Sequence, residues 1–325
     1  MELKRYLDPK ADLTFKKVFG EHADLLISFL NALLPLKDDE QIQHIDYLSP
    51  ELVPNTPLKK DSIVDVRCRD QKGRQFIVEM QMLWTNAFMQ RVLFNAAKAY
   101  VSQLDRRQKY ELLQPVYSLA LLNQNYMKNV SDYYHVYNIV CDKYSDSVIE
   151  GLHFVFVELP KFTPQTITEK KMTALWLRFL TEIDENTREV SDDLLANPEV
   201  KKALDTVEES GYSDAQLLGY DRFWDSVRTE KTFYSDARRI GREEGREEGR
   251  EEGRKEGREE GHAEGRAEGI KEGREEGREE GREEGHKEGR QQEKLAIAIR
   301  MKKEGFPEDA ILKITGLSKD EVKGL

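Results

Sequence analysis

The chain has 325 residues with 51 Lys and Arg against 62 Asp and Glu, a formal net charge of −11. That balance argues against a basic nucleic-acid coat, though not against a local basic groove. With only Cys68 and Cys141 it excludes a disulfide framework and makes a reducing compartment the expectation. The N-terminal stretch lacks the apolar core of roughly 7–15 residues that a secretory signal needs. No run approaches the roughly 18 apolar residues that span a bilayer. A soluble, cytoplasmic protein with no membrane contact is expected.

In chain order, residues 12–34 read as one helix. Asp12 is the N-cap, and Leu13, Phe15, Val18, Phe19, Leu25, Leu26, Phe29, Leu30, Leu33 and Leu34 recur at helical spacing until Pro35. "IQHIDYLSPELVP" (42–54) reads as a strand ending in a Pro-punctuated loop. Residues 61–81, "DSIVDVRCRDQKGRQFIVEMQ", form two strands and a tight turn, with Gly73 suited to a positive φ. From 86 to 104, Phe88, Val92, Leu93, Ala96, Ala99 and Tyr100 mark an amphipathic helix. Strands are expected at 115–123, 133–140 and 152–159, then helical segments from "TALWLRFLTEI" to about residue 238. This order predicts a mixed α/β domain over 1–235.

Residues 236–290 are an arm or linker whose stretch from 241 is a near-perfect Gly-Arg-Glu-Glu repeat. It contains 13 of the 21 glycines and 13 Lys and Arg against 19 Glu, so it supplies −6 of the net charge. Each interior Gly costs a helix about 1 kcal/mol relative to Ala. The i,i+3 pairs such as Glu243–Arg246 return only about 0.2–0.5 kcal/mol each. The segment is therefore a fraying helix or a solvated spacer, and a stable helix (as in a coiled coil) if a partner packs on it. A glycine stripe with a four-residue step winds about 40° per repeat, against a continuous seam.

Residues 291–325 form a small helical module. Leu295, Ala298, Ile299 and Met301 share a face, Gly305 is a C-cap candidate, Pro307 suits a helix start, and Ser318-x-x-Glu321 is a capping box. "EDAILKITGLSKDEV" has a helix-turn-helix pattern, open between packing or oligomerisation and DNA reading.

The chemistry concentrates in 61–81, where Asp65 and Glu79 interrupt apolar strands. Alternation puts Ile63, Asp65 and Arg67 on one face, and Ile77, Glu79 and Gln81 on one face opposite Phe76, Val78 and Met80. A loop centred on Lys72 pairs residues whose numbers sum to 144, which sets Asp65 across from Glu79. Like charges so placed repel, and a divalent cation reverses the sign. The bland alternative is a solvated sheet face neutralised by Arg67, Arg69 and Arg74. On the next helix Arg91, Asn95 and Lys98 lie at i, i+4 and i+7, as a cationic site face or a solvated one. His22, His44, His135 and His153 have no metal-site spacing, and Cys68 belongs to the core face.

"DLTFKKVFG", "FLNALL", "IVDVRCRDQKGRQFIVEMQ", the Arg91 helix and "YELLQPVYSLALL" together resemble the PD-(D/E)XK family of transposases and recombination-promoting nucleases (the Rpn group), over most of 8–180. The repeat and the "ITGLS" tail are similar to C-termini of that group. The resemblance implies a restriction-endonuclease-like core, a mixed central sheet flanked by helices, and DNA cleavage dependent on Mg²⁺ or Mn²⁺. It makes Asp65 and Glu79 metal ligands and puts Gln81 at the usual Lys position, where it can hydrogen-bond but supplies no cation. Asp12 and Lys16 match an N-terminal D-x-x-F-K pattern and, with Arg91 and Lys98, are supporting candidates. Two functions follow. One is a metal-dependent DNA endonuclease in recombination or mobile elements; the other is a weakly active or inactive nuclease fold that binds DNA or protein. A third reading makes the repeat arm the functional part, tethering partners or other copies of the chain in a homo-oligomer.

Overall fold

The computed structural model describes residues 4–52, 62–85, 87–105, 107–164 and 171–325. They fall into two compact units, residues 1–235 and 236–325. Val53, Pro54 and Asp61, which bound the expected loop and hairpin, lie outside the described residues.

The first unit opens with α1 (Asp12–Glu21) and α2 (Ala23–Leu33). The single helix expected over 12–34 is broken at His22, whose backbone is extended. Periodicity hid the break because both helices face one core, with the Phe19 and Phe29 rings 4.3 Å apart. Asp12 is the first helical residue rather than the cap; Ala11 is the N-cap, and it makes no side-chain cap. The strand expected over 42–54 is two short ones, β1 (Ile45–Tyr47) and β2 (Glu51–Leu52).

Next come β3 (Ser62–Ile63), β4 (Val66–Asp70), β5 (Gln75–Gln81), α3 (Ala87–Val101), β6 (Val116–Leu122), β7 (Tyr134–Cys141) and β8 (Tyr144–Glu158). α4 (Lys171–Glu182), α5 (Asp192–Ala196), α6 (Pro198–Thr206) and the start of α7 (Asp214–Lys303) complete the unit. Six strands make one mixed sheet, ordered β1-β4-β5-β6-β8-β7, in which β5, β6 and β8 are parallel neighbours. β6, "VYSLALL", is a near-continuous apolar run because its position at the centre of the sheet buries both faces.

One sheet face, with Phe76, Val78, Leu119, Leu121, Val155 and Val157, packs into the main core with Phe15, Phe29 and Trp176. On the other, Ile77 and Ala120 meet Val92, Ala96 and Ala99 of α3. The alternation read from β5 therefore sends Phe76 and Val78 to the core and aims Glu79 at α3.

In the second unit, α7 carries all of residues 241–290, every one exposed. Among the described residues the one ion pair reaching the repeat is Arg239–Glu243, at its edge. α7 ends at Gly305, φ +87°, where Phe306 N–H bonds Met301 C=O and Gly305 N–H bonds Lys302 C=O, a Schellman closure. α8 (Glu308–Thr315) and α9 (Lys319–Lys323) follow, and Ser318 and Glu321 form the expected capping box. Ala298, Ile311, Leu317 and Val322 make a small core flanked by Leu295 and Met301, while Ile299 is exposed rather than packed. No helix among the described residues is long and apolar enough to cross a membrane.

Candidate active site

The site begins with the turn. Gly73 adopts φ +84°, and the Asp70 carboxylate accepts the Lys72 and Arg74 N–H groups, fixing a three-residue loop. The ladder that follows pairs Arg69 with Gln75, Cys68 with Phe76, Arg67 with Ile77 and Val66 with Val78. This is the register the sequence predicted.

The next position differs. Asp65 sits in a bend that separates β3 from β4, not inside a strand. There the antiparallel ladder ends, and the Asp65 Oδ2 accepts the Met80 N–H at 2.7 Å. Had the ladder continued, the carbonyl of residue 64 would have taken that donor. A side chain thus replaces a backbone partner, as Asp commonly does in turns. β5 itself runs on to Gln81, held by β6 on its other edge.

Glu79 is 5% exposed and faces α3. Asn95 Nδ2 donates to its Oε1 at 2.8 Å, and the Arg91 guanidinium lies 3.7 Å from its Oε2. Asn95 is fully buried, so the solvated-face alternative fails for it, while Arg91 is half exposed. Gln81 is held at both amide ends, donating to the Leu83 carbonyl and accepting from Arg91. The arginines of the bland alternative are engaged elsewhere: Arg67 with Gln75, Arg69 with Asp46, and Arg74 with Asp70.

Asp65, Glu79, Gln81, Asp12 and Arg91 all line one cavity of about 860 Å³. Asp12 is paired with Lys16 at 2.7 Å. On α3 the lining ends at Asn95, about a turn short of Lys98, whose ammonium lies 5.5 Å from the Phe94 ring centroid. Lys10, Ser62, Phe94 and Phe223 are among the further lining residues not singled out in the sequence. None lies within a recognisable spacing of the acids, so only the fold brings them in.

The electrostatics follow from burial. Loss of water pushes the Asp65 carboxyl up to about 6; the Met80 N–H opposes this, and the charges of Glu79 and Asp12 add to it. Glu79 is also raised, by burial first, against the Asn95 hydrogen bond and Arg91. Two carboxyls that burial makes costly to ionise, with the charge of Glu79 adding to the cost at Asp65, are a place where a cation is favoured. Among the described residues no group of three His, Cys, Asp or Glu side chains gathers as a metal set. Two carboxylates with open space beside them nonetheless fit Mg²⁺, which keeps several waters and takes substrate phosphate oxygens. The buried Asn95 Oδ1, without a hydrogen-bond partner, leaves further polar capacity at the same place.

Residues 9–229 match the PD-(D/E)XK nuclease family transposase. The chain belongs to this family. A mixed sheet of six strands flanked by helices is the architecture expected of a PD-(D/E)XK core. Membership in a nuclease family implies DNA as the substrate class. No curated protein and no solved structure matches the chain.

Proposed function

We propose that this PD-(D/E)XK family member is a metal-dependent DNA endonuclease serving recombination or mobile elements, with Asp65 and Glu79 holding Mg²⁺ or Mn²⁺. The observation that carries it is the arrangement at the ladder's end, where two partly or fully buried carboxylates face one cavity. When bound, the ion polarises the phosphoryl group and favours ionisation of water.

The chain's own residues do the rest. Asn95 holds the Glu79 carboxylate in one orientation, and the Met80 N–H does the same for Asp65. Gln81, where the family's Lys would stand, orients a water or a phosphate oxygen through its amide. Arg91 supplies the charge that Gln81 lacks, since its half-exposed guanidinium already touches both Gln81 and Glu79. Lys16 neutralises Asp12 and spares the cavity one unopposed anion.

A second function is favoured by one observation, the engagement of both ends of the Gln81 amide. A site locked this way binds DNA without cutting it. Incubation with supercoiled plasmid and Mg²⁺, beside Asp65→Ala, separates the two. Nicking by the wild type alone supports the nuclease. Salt-sensitive binding without nicking supports the binding module.

A further inference from the structure

The cavity has walls that metal-assisted hydrolysis does not need. Phe94 projects from α3 with 43% of its surface exposed, and half-buried Phe223 comes from the start of α7. Both line the space that holds Asp65 and Glu79. Among the described residues Phe94 meets no other aromatic ring, its one ring neighbour being the Lys98 ammonium at 5.5 Å, while Phe223 meets Trp224 at 5.5 Å between centroids and packs on the cluster of Leu7, Ala11, Tyr212 and Tyr220. Two aromatic side chains from separate elements therefore border the cavity, Phe94 with much of its surface still open to it. An exposed aromatic beside a catalytic pair is costly to leave in water, and stacking on a π-face offsets that cost.

The charges point the same way. Among the described residues lining the cavity, three acids (Asp12, Asp65, Glu79) face two cations, Lys10 and Arg91. The Lys10 ammonium is already held by the Asp8 carboxylate and the Leu180 carbonyl, both at 2.8 Å. A duplex is gripped chiefly through many phosphate contacts to Lys and Arg, and this lining offers little for that. It offers instead aromatic surface.

We infer that the cavity is a nucleobase subsite: beside the scissile phosphate it takes one unpaired base, stacked on Phe94 and bordered by Phe223. This rests on the proposed nuclease function and names its substrate as single-stranded or locally unpaired DNA. A base inside a duplex has both faces occupied and cannot enter.

The test uses the full-length Asp65→Asn protein without divalent metal and three oligonucleotides of one sequence containing 2-aminopurine. They are a single strand, a perfect duplex, and a duplex with the probe in a one-nucleotide bulge. We expect quenched fluorescence and at least about tenfold tighter binding for the single strand and the bulge than for the duplex. Adding Phe94→Ala should weaken single-strand binding by about 5- to 150-fold. Phe94→Trp should retain it, and Leu93→Ala, an exposed neighbour outside the lining, should leave it unchanged. Equal binding of the three DNAs, or no loss with Phe94→Ala, overturns the subsite. Plasmid cutting by the wild type with equal binding of the three DNAs removes the subsite and leaves the nuclease standing. Quenching as expected without any cutting does the reverse.

Discussion

Residues 62–81 and residues 241–290 both carry carboxylates, and the fold treats them in opposite ways. In the first, Glu79 is flanked by apolar residues that enter a core, so it is carried inside with its sheet and finds partners in Asn95 and Arg91. In the second, 19 Glu and 13 Lys and Arg alternate with glycine and almost nothing apolar draws them in, so every residue stays in water. Charge becomes chemistry only where burial raises the cost of ionisation. The same side chain that is inert in the repeat becomes a candidate ligand in the hairpin.

The largest way to break that contrast is at the core beneath the site. Trp176 is fully buried against Phe19, Phe29 and Phe179. Trp176→Ala should cost about 3–5 kcal/mol in urea unfolding followed by the fluorescence of Trp84 and Trp224. Arg266→Ala in the repeat should change the same midpoint by less than about 0.5 kcal/mol. Comparable losses would mean that the repeat is not a separate solvated element.

Next is the partner of Glu79. Asn95→Ala leaves the Oε1 without its donor and should raise the Mg²⁺ concentration needed for half-maximal cleavage by about 10- to 100-fold. An unchanged metal requirement would show that Asn95 only fills space.

A similar effect is expected for stability against pH. The Asp65 carboxyl, ordinarily near 3.8, is held at about 6 in the fold. Below pH 4 it is protonated folded and unfolded, and costs nothing. As pH rises from about 4 to 6 the unfolded chain ionises while the fold keeps the proton, so stability falls by on the order of 1–3 kcal/mol and levels off above 6. Asp65→Asn should therefore stabilise the metal-free protein at pH 8 and not at pH 4. Mg²⁺ should raise the melting temperature of the wild type and not of the variant. A destabilised variant at pH 8 would mean that the Met80 hydrogen bond outweighs the charge.

The smallest effect is in the repeat itself. Gly261, Gly265 and Gly269 have open space where a Cβ would go. Replacing all three with Ala should raise helicity by circular dichroism, each by up to about 1 kcal/mol of helix propensity, with no change in cleavage.

Much of the first unit was legible because the signals were local. Gly73 fixed the turn, the turn fixed the register, and alternation told the face of Glu79 from that of Val78. Continuous apolar character marked β6, and the capping box at Ser318 was plain from spacing alone. What stayed hidden depended on tertiary contact. Asp65 looked like a misfit inside a strand, whereas it ends the ladder by accepting the Met80 N–H. Asn95 looked like one member of a polar face, and only the proximity of Glu79 makes it a buried partner. The break at His22 left no trace in a periodicity that both helices share. Phe223 reaches the cavity from nearly 130 positions beyond Phe94 in the chain, a distance no spacing rule covers.

The most direct test is nicking of supercoiled plasmid by the full-length protein in Mg²⁺, with Asp65→Ala purified alongside. Loss of a metal ligand removes several kcal/mol of transition-state stabilisation, so the variant should be slower by at least about a hundredfold. Chelation should abolish the wild-type activity. Equal nicking by the two proteins, or none by either with Mg²⁺ or Mn²⁺, would contradict a metal-dependent nuclease built on Asp65 and Glu79.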